Sequence, residues 1–157
     1  MTGPCTARRA TGDDLSVLVD MIRACTEELA QQRGGPMWSA TESRTEPIDL
    51  LLDQQLGDPA LIVVVGEFEG AVVGFAVCER RRATDARLYA TITDLFTLPG
   101  ARQVGVGESM MDLCVEWARS FGAFAIDAQV LPGTRDAKNF FERFGLTARK
   151  LTVSREL

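Results

Sequence analysis

The feature that most restricts how this chain folds is a pair of apolar runs separated by only two residues. Leu61–Phe68 reads LIVVVGEF, Ala71–Arg80 reads AVVGFAVCER, and Glu69-Gly70 lies between them. Runs rich in valine and phenylalanine are typical of buried strands, and a two-residue link that ends in glycine is typical of a hairpin. The sequence therefore predicts two neighbouring antiparallel strands.

Further strands are predicted on both sides of this hairpin. Arg87–Leu98, RLYATITDLFTL, follows a polar loop and is rich in β-branched residues, which favour a long strand. Three other segments are predicted to be strands: CTARRAT near the N-terminus, AFAIDAQV at Ala123–Val130, and TARKLTVSREL at the C-terminus.

Helices are predicted where apolar residues recur every three or four positions. Thr11 and Asp14 form a capping pattern that opens the first helix, which ends at a predicted loop, RGGPMW. A second helix begins near Pro47, and TRDAKNFFERF predicts the last one. The clearest apolar face belongs to the helix that carries Val106, Met110, Leu113, Cys114, Trp117 and Phe121.

The order β-α-α-β-β-β-α-β-α-β contains no domain linker or internal repeat. It indicates a single domain over residues 1–157, in the α/β (α+β) class, with one mixed sheet flanked by helices.

Composition excludes several classes of function. The formal net charge of −5 argues against non-specific nucleic-acid binding and permits cationic substrates. The longest apolar run, Ala60–Val65, is too short to span a membrane, and the first residues lack an apolar signal core. We therefore expect a cytoplasmic protein that binds neither nucleic acid nor membrane.

Histidine is absent, which removes Ser-His-Asp and Cys-His nucleophile systems and most catalytic zinc sites. The four cysteines, Cys5, Cys25, Cys78 and Cys114, are scattered along the chain and favour reduced thiols over a disulfide framework or a metal site. Proton transfer in an enzyme of this composition would use carboxylates, water, cysteine, lysine or Tyr89, the single tyrosine.

The stretch LFTLPGARQVGVGESMM, Leu95–Met111, places glycines at the start of a predicted helix. The first amides of a helix are unpaired and carry partial positive charge, so such a loop suits a phosphate group. The alternative is that Gly105 and Gly107 only permit a tight strand-to-helix turn. The loop matches neither a P-loop nor a dinucleotide fingerprint, because Met110 occupies the place of the third glycine.

Three segments in order resemble the GNAT superfamily of N-acetyltransferases. Arg102–Gly107, RQVGVG, is similar to the acetyl-CoA motif [Q/R]-x-x-G-x-[G/A] of that family. VVGEFEGAVVGFAV is similar to its central hairpin, and LPGTRDAKNFFERFGL to its second CoA-side segment. The resemblance implies a GNAT fold with a mostly antiparallel sheet, and a transferase that takes acetyl-CoA as cosubstrate.

The resemblance also implies which residues bind the cofactor. The pyrophosphate would lie on the backbone amides of Arg102, Gln103, Val104, Gly105, Val106 and Gly107. The strand before this loop would bulge and separate from the next one, and the pantetheine arm would bond to backbone groups near Phe96, Thr97 and Leu98. Ser109 would add a hydroxyl to a phosphate, and Thr134, Asn139 and Phe141 fall on the second CoA-side segment.

The chain departs from the family at several of these positions. Val104 stands where many members have lysine, and Glu108 places a carboxylate beside the expected pyrophosphate. Thr134 replaces a common asparagine. Phe141 replaces the common tyrosine that protonates the leaving thiolate, and phenylalanine cannot donate a proton. A thiol is acidic enough to leave as the anion, so this loss is compatible with catalysis.

The acceptor amine must lose a proton before it attacks the thioester. Asp94, on the strand that leads into the loop, is the nearest candidate base, and Thr93 and Leu95 are expected to point to the opposite face. The alternative role for Asp94 is a structural carboxylate satisfied by a neighbouring loop. Other candidate bases are Glu27, Glu28, Glu42 and Glu46.

The sequence leaves two possible roles for Trp38 and suggests one for the Arg102 side chain. Trp38 either packs on an acceptor amine or fills the core between the first two helices. Arg102 is expected to add a charged fork to the phosphate site.

Three functions therefore have some support in the sequence. The first is an N-acetyltransferase for a small-molecule or peptide amine, acting by direct attack in a ternary complex. The second is a GNAT-like CoA-binding module or pseudoenzyme with little or no turnover. The third is an unrelated nucleotide-binding domain with a parallel sheet, which the hairpin already disfavours. A homodimer is possible in each case.

Overall fold

The predicted hairpin forms the middle of a five-stranded sheet in the computed structural model, which describes residues 4–133 and 135–157. The strands are β1 (Cys5–Arg9), β2 (Leu61–Phe68), β3 (Ala71–Arg82), β4 (Leu88–Thr97) and β5 (Ile126–Ala128), and they lie in this order across the sheet. Strands β1 to β4 pair with one another in antiparallel fashion, and β5 pairs with β4 in parallel. The predicted mixed, mostly antiparallel sheet is confirmed.

Both faces of the hairpin are buried, which explains its continuous apolar sequence. Val63, Val65, Phe75 and Val77 point to one side of the sheet, and Ile62, Val64, Ala76 and Cys78 to the other. Glu69 and Gly70 both have positive φ angles, 49° and 83°, as a type I′ turn requires.

Five helices among the described residues cover the two faces. On one side lie α1 (Leu15–Ala30), α2 (Gly35–Thr41) and α3 (Ile48–Leu56), of which α1 and α3 contribute buried apolar side chains to the core. On the other side lie α4 (Val106–Ser120) and α5 (Arg135–Arg143). None of these helices is long and apolar enough to cross a membrane.

The element order differs from the prediction in two places. The segment predicted as a loop from Arg33 to Trp38 runs into the short helix α2, which begins at Gly35 and has Pro36 in its first turn, where proline is tolerated. The predicted C-terminal strand is wrong, since residues 146–157 form neither strand nor helix. Leu151 and Val153 there are 81% and 84% exposed, so this segment buries no apolar face that would hold it in a sheet.

The first helix is tied to the sheet through Asp14. Its carboxylate accepts hydrogen bonds from Arg8 at 2.8 and 2.9 Å and from the Thr11 backbone amide at 2.8 Å, which confirms the predicted capping box. Arg8 also bonds Glu67 on β2 at 2.9 Å. The hydrogen bonds from Arg8 hold the pKa of the buried Asp14 carboxyl below its ordinary value, although burial opposes them.

A lowered pKa in the folded state makes stability depend on acidity in a defined direction. Ionised Asp14 stabilises the fold above its unfolded pKa, and this contribution is lost as the pH falls through the folded value. We predict that Asp14→Asn lowers the free energy of unfolding at pH 7 by about 1–3 kcal/mol, and that the difference from wild type shrinks below about pH 4. Urea unfolding at several pH values measures both effects. Asp13→Asn, at the exposed neighbour, should change neither.

Candidate active site

One extra residue in β4 shapes the site. Val77 of β3 pairs with Asp94, but the next residue, Cys78, pairs with Ile92, so Thr93 forms a β-bulge. Before the bulge, Ala90 and Ile92 point toward α4. After it, Asp94 lies opposite Val77 and Phe96 packs in the core beside α1. The expectation for Leu95 is confirmed because it packs on the α4 side, but Thr93 lies beside Asp94, since the bulge breaks the alternation.

The same strand separates from β5 at the bulge. The two strands pair only at Ala90–Ile92 with Ile126–Ala128, which is shorter than the predicted strand Ala123–Val130. Beyond Ile92 the backbone edge of β4 faces an opening. Leu98 donates its amide to Val73 of β3 at 2.8 Å, so the backbone of Thr97 faces the opposite, open side. Among Phe96, Thr97 and Leu98, Thr97 is therefore the residue whose backbone is directed to an extended ligand there.

A cavity of about 460 Å³ lies at this opening, on the face of the sheet that carries α1. Helix α1, helix α2 and the loop after it form one wall, and the sheet forms the other. The polar side chains that line it come from six segments of the chain and are Thr26, Glu42, Ser43, Arg44, Gln55, Glu79, Arg81, Thr93, Asp94 and Gln129.

Asp94 lies on the wall of this cavity with both oxygens engaged. Arg44, from the loop between α2 and α3, donates to both carboxylate oxygens, one at 2.8 Å, and Thr93 donates its hydroxyl to Oδ2 at 2.7 Å. The side chains of Arg44 and Asp94 are only 16% and 13% exposed. Burial lowers the pKa of the Arg44 guanidinium, but the hydrogen bonds and charge of Asp94 outweigh it and raise that pKa above its ordinary value. The Arg44 guanidinium therefore stays charged beside Asp94.

The other predicted carboxylates occupy different positions. Glu42 lines the cavity, whereas Glu46 bonds Arg23 at 2.9 Å away from it and Glu27 is exposed on α1. Glu28 forms an ion pair with Arg102.

Glu79 and Gln129 also line the cavity, and neither was predicted from the sequence. Glu79 lies two residues after Val77 on β3, so the alternation of side chains along a strand could have placed both on one face. Gln129 follows β5, which ends at Ala128, before the end of the predicted strand.

Cys25 also lines the cavity but has no nucleophilic role. Burial raises the pKa of its thiol to about 12, so the thiol stays protonated at neutral pH. No cluster of three or more metal-ligating side chains occurs within residues 4–133 and 135–157.

The loop before α4, here called the anion loop after its predicted ligand, contains two residues with left-handed backbone. Gln103 and Gly105 have positive φ angles of 65° and 104°, and Gly105 caps the 15-residue helix α4 at its N-terminus. The amides there point away from the helix toward solvent. Val106 is fully buried, so only its backbone is available to a ligand. Gly107 also has a packing role, because a Cβ there would lie 3.2 Å from the Phe140 ring.

Arg102 turns away from these amides. Its guanidinium donates to the two carboxylate oxygens of Glu28 on α1 at 2.8 and 2.6 Å, and its Nε donates to the Thr97 carbonyl at 2.9 Å. The predicted fork therefore binds a carboxylate of the same chain. Glu28 raises the pKa of Arg102 by accepting these hydrogen bonds, while burial acts in the opposite direction.

The remaining predicted cofactor residues lie around the start of α4 and on α5. Ser109 donates its hydroxyl to the Gly105 carbonyl at 3.1 Å, as a first-turn residue does. Asn139 is exposed on α5, Phe141 is buried in the core beside α4, and Thr134 lies outside the described residues. Arg143 lies 3.8 Å from Glu108 and offsets part of the negative charge at the loop.

Comparison with known proteins agrees with this geometry. A sequence profile of the Acetyltransferase (GNAT) family matches residues 22–146. The chain therefore belongs to the GNAT acetyltransferase family, which confirms the resemblance of the three motifs. No curated protein sequence gives a significant match.

Solved structures share the fold at low sequence identity. A tetramutant of the BH1408 protein from Bacillus halodurans has a TM-score of 0.80 at 17% identity, covering 96% of this chain and 99% of that one. A putative acetyltransferase from Agrobacterium tumefaciens has a TM-score of 0.75 at 19% identity, covering 97% and 99%. An aminoglycoside acetyltransferase from an uncultured soil metagenomic sample, in complex with sisomicin, has a TM-score of 0.73 at 17% identity, covering 98% and 95%.

The contact between Arg102 and Glu28 predicts how firmly the anion loop is held. Because both side chains are more than a third exposed, the ion pair contributes about 1 kcal/mol at most. We predict that Glu28→Gln increases hydrogen exchange at the amides of residues 102–105 by about fivefold or less, measured by mass spectrometry. Glu27→Gln should leave this exchange unchanged. Equal rates in all three proteins would show that the ion pair does not restrain the loop.

Proposed function

We propose that this chain transfers the acetyl group of acetyl-CoA to the nitrogen of a small-molecule or peptide amine, by direct attack within a ternary complex. The observation that carries the proposal is the continuity of three features along β4. The anion loop follows its end, the opening to β5 runs beside its last residues, and the cavity lies at its bulge. A cosubstrate bound along this edge would present its reactive end to an acceptor in the cavity.

The residues present fit acetyl-CoA. The loop amides of Arg102–Gly107 at the N-terminus of α4 suit a pyrophosphate, and the Thr97 amide at the opening suits a carbonyl of a pantetheine arm. Arg143 offsets the charge of Glu108 at the same place. When bound, acetyl-CoA supplies an activated acetyl group as a thioester.

The residues of the site then have distinct roles in binding and in the reaction. The cavity holds the amine and limits its contact with water, and an amide donor at the opening would stabilise negative charge on a reacting carbonyl oxygen. Phe141 contributes packing and cannot donate a proton. The thiolate leaves as the anion or with a proton from water, which its acidity permits. The expected cytoplasmic location and homodimer stay predictions.

Loop charge provides a test of cosubstrate binding. Val104 is 44% exposed on the anion loop, so its side chain can be replaced without disturbing the core. We predict that Val104→Lys tightens acetyl-CoA binding and Val104→Glu weakens it, each by about fivefold, the effect of an exposed charge near phosphates. Titration calorimetry measures both constants. Acetyl-pantetheine, which lacks the pyrophosphate, is the control ligand and should bind all three proteins equally.

Turnover provides the test of the reaction itself. Thiol release from acetyl-CoA over a panel of amines should exceed the uncatalysed rate, and the absence of acetyl-CoA binding at high micromolar concentration would refute the proposal. Binding without turnover on any amine would instead support the CoA-binding module. Two observations favour that second candidate: Phe141 is buried where a tyrosine is usual, and both oxygens of Asp94 are engaged.

The role of Asp94 is tested by comparing its replacement with that of its partner. As a base, Asp94 accepts a proton from the amine. Asp94→Asn should then lower kcat by about 100-fold or more and remove the acidic limb of the pH–rate profile. Arg44→Gln should preserve that limb. If both variants instead lower kcat and the free energy of unfolding in parallel, with an unchanged pH profile, Asp94 is structural.

A further inference from the structure

The distribution of charge inside the cavity assigns a substrate class. We propose that the acceptor carries a second cationic group in addition to the amine that is acetylated, and that Glu42 and Trp38 bind this group. The inference rests on the proposed function, because it concerns the acceptor of that reaction. The cavity volume of about 460 Å³ is within the range of small-molecule sites.

Two of the three carboxylates on the cavity wall are already neutralised by arginines of the same wall. Asp94 is bonded by Arg44, and Glu79 accepts hydrogen bonds from Arg81 at 2.9 and 3.3 Å. Glu42 forms no ion pair with any residue in the described part of the chain. The cavity wall therefore has one uncompensated negative charge, and it attracts a cation.

An aromatic ring lies one helical turn from this carboxylate. The Glu42 amide donates to the Trp38 carbonyl at 2.8 Å, which places the two side chains four residues apart on the same face of α2 and its C-terminal cap. Both residues line the cavity, with Trp38 half-buried and Glu42 exposed. A tryptophan face and a carboxylate together favour an ammonium group, because each attracts positive charge.

The arginines do not provide a matching site for an anion. Both donate to carboxylates of this chain, and an acceptor carboxylate would have to compete with Asp94 or Glu79 for them. An acceptor with a carboxylate at its far end would also meet the charge of Glu42. The geometry therefore separates diamines from simple amines and from amino acids.

Three acceptors of equal chain length test this assignment. 1-Aminobutane, 1,4-diaminobutane and 4-aminobutanoate each have four carbons and differ only at the fourth, which is a methyl, a protonated aminomethyl or a carboxylate group. Thiol release should give the lowest KM for 1,4-diaminobutane and the highest for 4-aminobutanoate. Equal KM values for 1-aminobutane and 1,4-diaminobutane would overturn the proposal.

Substitutions of Glu42 and Trp38 test whether these side chains cause the preference for the diamine. Glu42→Gln should raise KM for 1,4-diaminobutane about fivefold to tenfold more than it raises KM for 1-aminobutane. Trp38→Leu should act in the same direction, and Trp38→Phe should keep most of the preference because it retains an aromatic face. Glu116→Gln, at an exposed position on α4 away from the cavity, is the matched control. A Glu42→Gln protein with the wild-type KM for the diamine would contradict the assignment.

A binding measurement separates this inference from the proposed reaction. If no amine is acetylated, the reaction proposal fails, but 1,4-diaminobutane should still change the fluorescence of Trp38 on titration. Trp38→Phe keeps Trp117, the other tryptophan, and should lose this change. Failure of the diamine to bind wild type more tightly than 1-aminobutane does would reject the cation subsite whether or not turnover occurs.

Discussion

The single-residue bulge at Thr93 is the constraint on which the rest of the site depends. It reverses the direction of the side chains that follow, so that Asp94 and Phe96 face α1 instead of α4. β4 pairs with β5 only before the bulge, which leaves the backbone of the last β4 residues facing an opening. A regular strand would have placed Asp94 on the α4 side, away from the cavity, because side chains alternate strictly along an unbroken strand.

Ion pairs within the chain occupy several of the charged side chains around this site. Arginine–carboxylate contacts occupy Asp94, Glu79, Glu28 and Arg102, and each contact joins segments that are distant in sequence except that of Glu79 and Arg81. The arginine of the anion loop is consequently bonded to α1, so the proposed phosphate contacts there rest on backbone amides. In the cavity, the same pairing leaves Glu42 as the charge available to a ligand.

Much of the fold could be predicted from local sequence. The hairpin around Glu69-Gly70, the capping box at Thr11 and the apolar face of α4 all depend on residues within a few positions of one another, and all three are confirmed. The predicted C-terminal strand does not form, because a strand there would have to bury an apolar face, and Leu151 and Val153 are exposed. The helix at Gly35–Thr41 was missed because two glycines and a proline at its start are typical of a loop.

The sequence by itself determined the family, the strand-to-helix turn before α4 and the lack of histidine side chains, because each depends on contiguous residues or on composition. Only the tertiary structure decided which side chains meet. It paired Arg44 with Asp94 across 50 positions and Glu28 with Arg102 across 74, and it placed Gly107 against Phe140. Such pairings depend on the packing of helices on a twisted sheet, and the register of that sheet changes at one bulged residue that no local pattern marks.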